Sequence, residues 1–315
     1  AGSYRFDLAT NASFSAMVHS ASGLTGTSYT LPLTLNTSVR YYWRVYADNA
    51  CGTAGPSATF NFTTVAAPGD CTTGATPNIL YTYGFESGAS GWTTPAGTGT
   101  NTWSISTANP HTGAAAYRAA GTGSVTDQRL VSPAIVLPTG ENPVVLKFWH
   151  TPNLEANGAT ACYDGGVLEV STDGGANWTY VPNSSLLVGP YRSGVVSGSF
   201  SNPLAGRNAW CGASSYMQTI ADVSAYAGQT AQFRMRLGTD SSTATTGWDV
   251  DDVVMQSCEA SCAYDVNGSG AVDIVDVQLV AGAFGANVPA YDFNNNNIVD
   301  VSDIQTVADR WLIGC

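Results

Sequence analysis

Two twelve-residue stretches, DVNGSGAVDIVD (Asp265 to Asp276) and DFNNNNIVDVSD (Asp292 to Asp303), carry oxygen-bearing side chains at steps 1, 3, 5, 9 and 12. Side chains so spaced can share one hard cation only if the backbone curls into a closed loop around it. The first stretch offers Asp265, Asn267, Ser269, Asp273 and Asp276, with the carbonyl of Ala271 at step 7. The second offers Asp292, Asn294, Asn296, Asp300 and Asp303, with the carbonyl of Ile298. Each loop has three carboxylates, so calcium is the expected cofactor, with one ion in each loop. Val272 and Val299, both at step 8, are expected to pair between the loops.

Charge agrees with this reading. The net charge is −12, and from Glu259 onward eight acids face one base, Arg310. A chain with one lysine and no basic patch is a poor partner for phosphates, which excludes nucleic-acid binding. Charged residues are 11% and hydrophobic ones 44%, the rest being rich in Gly, Ser, Thr, Asn and Ala. That balance predicts a folded, β-rich extracellular chain. No run of ~18 apolar residues exists to span a bilayer. Seven cysteines with no CxxC pair and only three histidines predict disulfides and an oxidising compartment, not zinc.

Along the chain the hydrophobic period changes. In YRFDLAT, Tyr4, Phe6 and Leu8 alternate with Arg5 and Asp7, and RYYWRVYADN and ATFNFTT read as further strands. With Leu35, Tyr41, Tyr42, Trp43, the ADNACG turn and the closing FNFTT, residues 1–65 resemble a fibronectin type III domain. The resemblance begins at the third strand of that fold. It implies either a fragment of a longer protein or a sandwich completed by strands from another chain. Residues 66–70 read as a linker. From 71 to 258, turn clusters such as ESGASG, PAGTGTN and TDGGAN separate short alternating runs, as in an antiparallel sandwich.

The runs GFESGASGW, LKFWHTPNLE, CYDGGVLEVSTDGGANW, QFRMRLGTDSS and GWDVDDVVM resemble the jelly-roll accessory domain of bacterial secreted proteins, distantly similar to MAM domains. Such domains often follow metalloproteases of the immune-inhibitor-A type and are non-catalytic. The resemblance implies adhesion or substrate presentation, and a structural calcium where the first and last strands meet, at Glu86 and Asp252. The alternative reading is a pair of ordinary turn carboxylates.

Helical patterns follow each loop. They are expected to bury Ile274, Val277, Val280 and Phe284, then Val301, Ile304, Val307 and Trp311. The duplicated loop with Asp at step 12, each followed by one helix, resembles a type I dockerin over 259–315. At step 6, Gly270 in one loop is matched by Asn297 in the other, and Asn tolerates the left-handed backbone needed there. The resemblance implies a cohesin partner, yet steps 10 and 11 hold Ile274–Val275 and Val301–Ser302 where cellulosomal dockerins often carry Ser-Thr. It also implies a Cys262–Cys315 clasp, since the ends of that fold lie close together. Closing a ~50-residue loop contributes on the order of 4 kcal/mol. Cys162–Cys211 is assigned within the jelly roll and Cys71–Cys258 across its ends, with Cys51–Cys71 as the rival.

Other residues admit a structural and a functional reading. STDGGANW (Ser171 to Trp178) fits the SxDxGxxW pattern, whose usual role is to close a hairpin through Asp173. His150, Glu155 and Asp164 form a candidate metal cluster, against a core histidine in LKFWH. His19 and His111 sit in Ser/Thr/Gly-rich surroundings that assign no role. Trp92, Trp103, Trp149, Trp210 and Tyr163 are candidates for stacking on sugars, against core packing. Asn11, Asn36, Asn61, Asn177 and Asn183 begin glycosylation sequons; that at Asn267 lies inside a calcium loop. No nucleophile elbow, HExxH or phosphate loop is present.

The expectation is a mainly β, three-module, non-enzymatic bacterial protein of the cell surface or exterior. Its primary role would be structural or adhesive, as a fibre subunit completed by strand addition. The alternatives are the accessory region of a secreted hydrolase and a module docking to a cohesin. The partners are then protein or surface glycan.

Overall fold

A computed structural model describes residues 2–50, 52–72, 75–95, 97–260, 262–267, 269 and 271–311. The chain divides into two compact units, Ala1–Thr73 and Gly74–Cys315.

The first unit is one antiparallel sheet. Its strands run in the order Met17–Leu24, Ser3–Ala9, Arg40–Asn49 and Gly52–Thr53, and Phe60–Thr63 also pairs with Arg40–Asn49. The expected alternation is visible in what the side chains meet. Asp7 is buried beside Arg44, which reaches it at 3.3 Å, and Ser20 donates to it at 2.8 Å. Phe6, on the opposite face, lies 6.2 Å from Trp43 and 5.9 Å from Tyr29, ring centre to ring centre. Tyr41 is 2% exposed, and its hydroxyl accepts the amide N–H of Asn36. That bond ties the loop to the strand, as tyrosines at sandwich corners do.

The second unit contains a sandwich of two antiparallel sheets. The larger has Leu186–Val188, Met217–Asp222, Val144–Asn153, Thr245–Ala260, Ala116–Gly121 and Ser104–Ser106 in that order, with Ala75–Tyr83 also on Thr245–Ala260. The smaller has Ile135–Val136, Thr230–Thr239, Gly165–Ser171 and Thr179–Tyr180, with Thr126–Val131 also on Thr230–Thr239. Phe148, Trp248, Val250 and Met255 of one sheet and Leu130, Leu168, Phe233 and Met235 of the other are buried in one core. The sixteen-residue strand Thr245–Ala260 pairs with three others and extends past the boundary expected after Cys258.

Beyond that strand come two short helices, Ile274–Gly282 and Val301–Ala308, around a small separate core of Val272, Val280, Val299 and Val307. Of the expected residues, Val272, Val280, Val299 and Val307 form this core and Val277 and Ile304 pack against it, but four others do not. Ile274, Phe284, Val301 and Trp311 are 43%, 60%, 65% and 41% exposed. Eight- and nine-residue helices present too few turns to bury a full stripe, so only the residues facing the other helix are covered. Among the described residues no helix is long and apolar enough to cross a membrane.

Cys162 and Cys211 form a disulfide. Cys71, Cys258 and Cys262 are also disulfide-bonded. Cys51 and Cys315 lie outside the described residues, and with them the expected Cys262–Cys315 clasp and the rival Cys51–Cys71 pairing.

Candidate functional site

The two C-terminal loops are wired alike. At step 12, Asp276 accepts N–H bonds from Asn267 at 3.1 Å and Asp273 at 2.8 Å. Asp303 accepts the equivalent bonds from Asn294 at 3.1 Å and Asp300 at 2.9 Å. At step 1, Asp265 accepts the amide of Ser269 and Asp292 that of Asn296, at 2.9 and 3.0 Å. The step-9 residues Asp273 and Asp300 are helix N-caps, and the step-12 residues complete a capping box in both helices. Thus the carboxylate that closes each loop also starts its helix. Asn297 at step 6 has φ of 71°, the left-handed backbone its side chain tolerates; Gly270 lies outside the described residues. Asp276 and Asp303 are fully buried and form no ion pair among the described residues. The donor set in each loop is all oxygen and strongly anionic, which fits a hard cation.

Glu86 and Asp252 both reach the segment His111–Ala115. Glu86 accepts the amides of Ala114 at 2.7 Å and Ala115 at 3.4 Å. A Cβ on Gly113 would run into the Glu86 carboxylate, and the residue's φ of 62° lies in the left-handed region that favours glycine. Asp252 is 2.6 Å from Nδ1 of His111 and accepts the Thr112 hydroxyl, while neighbouring Asp251 accepts the His111 amide at 2.9 Å. Burial raises the Asp251 carboxyl above the usual range, against the hydrogen bonds from His111 and Asp252. The His111 ring stacks 4.1 Å from Trp149, with Tyr216 at 5.1 Å. Sequence surroundings assigned His111 no role because the strand pairing that brings Asp252 to it spans 141 residues.

His150 is a core histidine. Trp248 donates its indole N–H to Nδ1 at 3.0 Å, so Nε2 carries the proton and donates to Thr219 at 2.9 Å. Full burial pushes its pKa down to about 3. Glu155 and Asp164 do meet, but their third member is Asp240, which the sequence reading left out. Ligand atoms of the three lie within 4.8 Å of one another. Burial, then the charges of Asp240 and Glu155, push the Asp164 carboxyl up to about 7 against a bond from the Asp240 amide. Asp240 stands 76 residues from Asp164 and joins it only because Gly165 pairs with Gly238.

The Ser171–Trp178 segment closes a hairpin. Asp173 accepts the Asn177 amide at 2.9 Å and the Ser171 hydroxyl at 2.7 Å, and these bonds, that of Asn177 foremost, hold its carboxyl down to about 2. Trp178 donates to the Gly175 carbonyl and lies under the Arg234 guanidinium at 4.4 Å. A cavity of about 270 Å³ opens beside them, lined also by Thr93, Arg129 and Gln232. On the same sheet Glu169, 1% exposed, is paired with Arg234, Arg207 and Arg236, and Asp127 with Arg236 and Arg129. Burial alone would raise both acids; bonds from Arg234 to Glu169, and from Arg236 and Arg129 to Asp127, hold them below the usual range.

Trp92, Trp103 and Trp210 are buried, which removes them as stacking platforms, while Trp149 and Tyr163 are half-buried. Asn36, Asn61 and Asn177 are exposed and Asn11 half-exposed. The Asn177 amide donates to Asp173, and that of Asn183 accepts the Tyr191 N–H. In the first unit a cavity of about 410 Å³ is lined by Tyr4, Phe6, Leu24, Tyr29, Trp43 and Val45.

No family model matches the chain. Bacillopeptidase F of Bacillus subtilis is 29% identical over an alignment of 198 residues that covers 60% of this chain and 12% of that protein. The K1 cleaved adhesin domain of Lys-gingipain from Porphyromonas gingivalis is 20% identical, covering 57% of this chain and 97% of the domain, with a TM-score of 0.37. A carbohydrate-binding module solved for mannan recognition is 12% identical, covering 58% and 99%, with a TM-score of 0.31. At these scores neither structure decides what this chain binds.

Proposed function

We propose that this chain is a non-catalytic accessory region of a secreted bacterial protein, built to bind other macromolecules through its first unit and held rigid by calcium at its C-terminus. The observation that carries the reading is the aromatic groove of the first unit. Phe6, Tyr29 and Trp43 line it, and Phe60 stacks on Trp43 at 4.8 Å while remaining 48% exposed. A single sheet with an apolar face is half of a sandwich, and an added strand supplies both backbone partners and the missing core. The occupant in this reading is an extended segment of protein, which makes the chain an adhesive or fibre subunit. Light scattering and electron microscopy of the purified chain test it. Wild type should associate as concentration rises, and Trp43→Glu should stay monomeric with its second unit folded. A wild type that is monomeric at every concentration, with and without calcium, overturns the assembly.

The similarity to Bacillopeptidase F favours a second reading, the accessory region of a secreted peptidase that holds substrate near a catalytic domain. Pull-down of unfolded protein or glycan polymers by this chain would separate it from self-assembly. The exposed Ile274, Val275, Leu279 and Val301 on the C-terminal helices offer a protein-docking face, as the dockerin resemblance implies for a cohesin. Calcium loading of the two loops is part of this proposal.

A further inference from the structure

We propose that Glu155, Asp164 and Asp240 form a third calcium site, at the rim of the sandwich and separate from the C-terminal loops. Oε2 of Glu155, Oδ2 of Asp164 and Oδ2 of Asp240 are all buried and have no hydrogen-bond partner among the described residues. Asp164 is fully buried and Asp240 is 1% exposed. Native proteins rarely leave such atoms unsatisfied, and three in one place point to a missing partner. None of the three acids forms an ion pair among the described residues. Left bare, they would repel one another in a medium that already penalises charge.

The geometry suits one small hard cation. Two oxygens that each lie ~2.4 Å from a calcium ion can be at most ~4.8 Å apart, and the three carboxylates meet that limit. The donors are all oxygens, with no imidazole or thiolate, which disfavours zinc. Calcium takes about 6–8 oxygens, so water or backbone carbonyls would complete the shell.

The scaffold is braced on each side. Asp164 and Asp240 flank the paired strands Gly165–Ser171 and Thr230–Thr239, and the Asp240 amide donates to Oδ1 of Asp164 at 2.7 Å. The Tyr163 and Asp164 amides donate to the Glu155 carbonyl at 3.0 and 3.1 Å. The Cys162–Cys211 disulfide lies two residues from Asp164, and Gly212 donates to the Leu154 carbonyl beside Glu155. Asn202 donates to the carbonyls of Tyr163 and Gly238 at 2.7 and 2.8 Å. The surrounding backbone is thus held in place while, among the described residues, the three oxygens that face one another are left without a partner.

The test is calcium stoichiometry of the full chain after chelation and reloading with calcium chloride. The double variant Asp164→Asn/Asp240→Asn should lose one ion per chain. A loop variant, Asp276→Asn/Asp303→Asn, should lose its ions independently, so failure at the rim and failure of the loop reading are told apart. Equal stoichiometry in wild type and rim variant overturns the site. Because the rim variant could fail to fold, terbium is also soaked into crystals of the wild-type chain. An anomalous peak between the three carboxylates is expected, and its absence overturns the proposal.

Discussion

At the scale of single residues, the buried polar groups separate into those with partners and those without. His150 is fully satisfied only while neutral, because Nδ1 must accept the Trp248 proton. Its folded pKa of about 3 lies below the ordinary 6.5. The unfolded chain therefore binds the extra proton first as pH falls. The stability His150 contributes is complete above pH 6.5 and is lost progressively toward pH 3. Thermal unfolding between pH 7.5 and pH 4 should show a falling Tm that His150→Gln flattens. The same substitution at neutral pH should cost ~1–3 kcal/mol by disturbing the Trp248 and Thr219 bonds. Glu169 is likewise partnered but as a charge, one carboxylate serving three guanidinium groups. Glu169→Ala leaves Arg234, whose side chain is 8% exposed, without its counter-charge. Chemical denaturation should register a loss of about 3–5 kcal/mol.

At the scale of elements, hairpin and loop closures carry the local order. The Ser171–Trp178 turn needs Asp173 to collect the Asn177 amide and the Ser171 hydroxyl. Asp173→Ala should cost ~1–2 kcal/mol, as the loss of a capping side chain does, measured as a lower Tm of the second unit. In the C-terminal segment, Asp303 serves both loop and helix. Chelation, or Asp303→Ala, should melt the two short helices in far-ultraviolet circular dichroism while the near-ultraviolet signal of the sandwich persists. Helices retained in EGTA would sink the calcium reading of the loops. The spacing of both loops and the left-handed Asn297 were legible in the sequence, because both depend on neighbours within twelve residues; the capping by Asp273 and Asp300 emerged from the structure. The apolar stripe was legible only in part: Val280 and Val307 are core and Val277 and Ile304 pack against it, while Val301 and Phe284 proved exposed. Periodicity marks a stripe, but the length of the opposing element decides how much of it is covered.

At the scale of the whole molecule, two compact units predict separable behaviour. A chain of residues 74–315 expressed alone should retain the near-ultraviolet spectrum of the sandwich; a loss of that spectrum would show that the second unit depends on the first. The sequence by itself determined the β-rich class, the paired acidic loops, the hairpin-closing role of Asp173 and the net negative charge. Each of these rests on composition or on residues close along the chain. Only the tertiary structure decided that His150 leaves the metal candidates and Asp240 joins them, that His111 stacks on Trp149, and that Trp92, Trp103 and Trp210 are core. Those outcomes depend on strand register across separations such as the 76 residues between Asp164 and Asp240. A register shifted by one residue turns every side chain to the other face, and local pattern does not encode which distant strand becomes the neighbour.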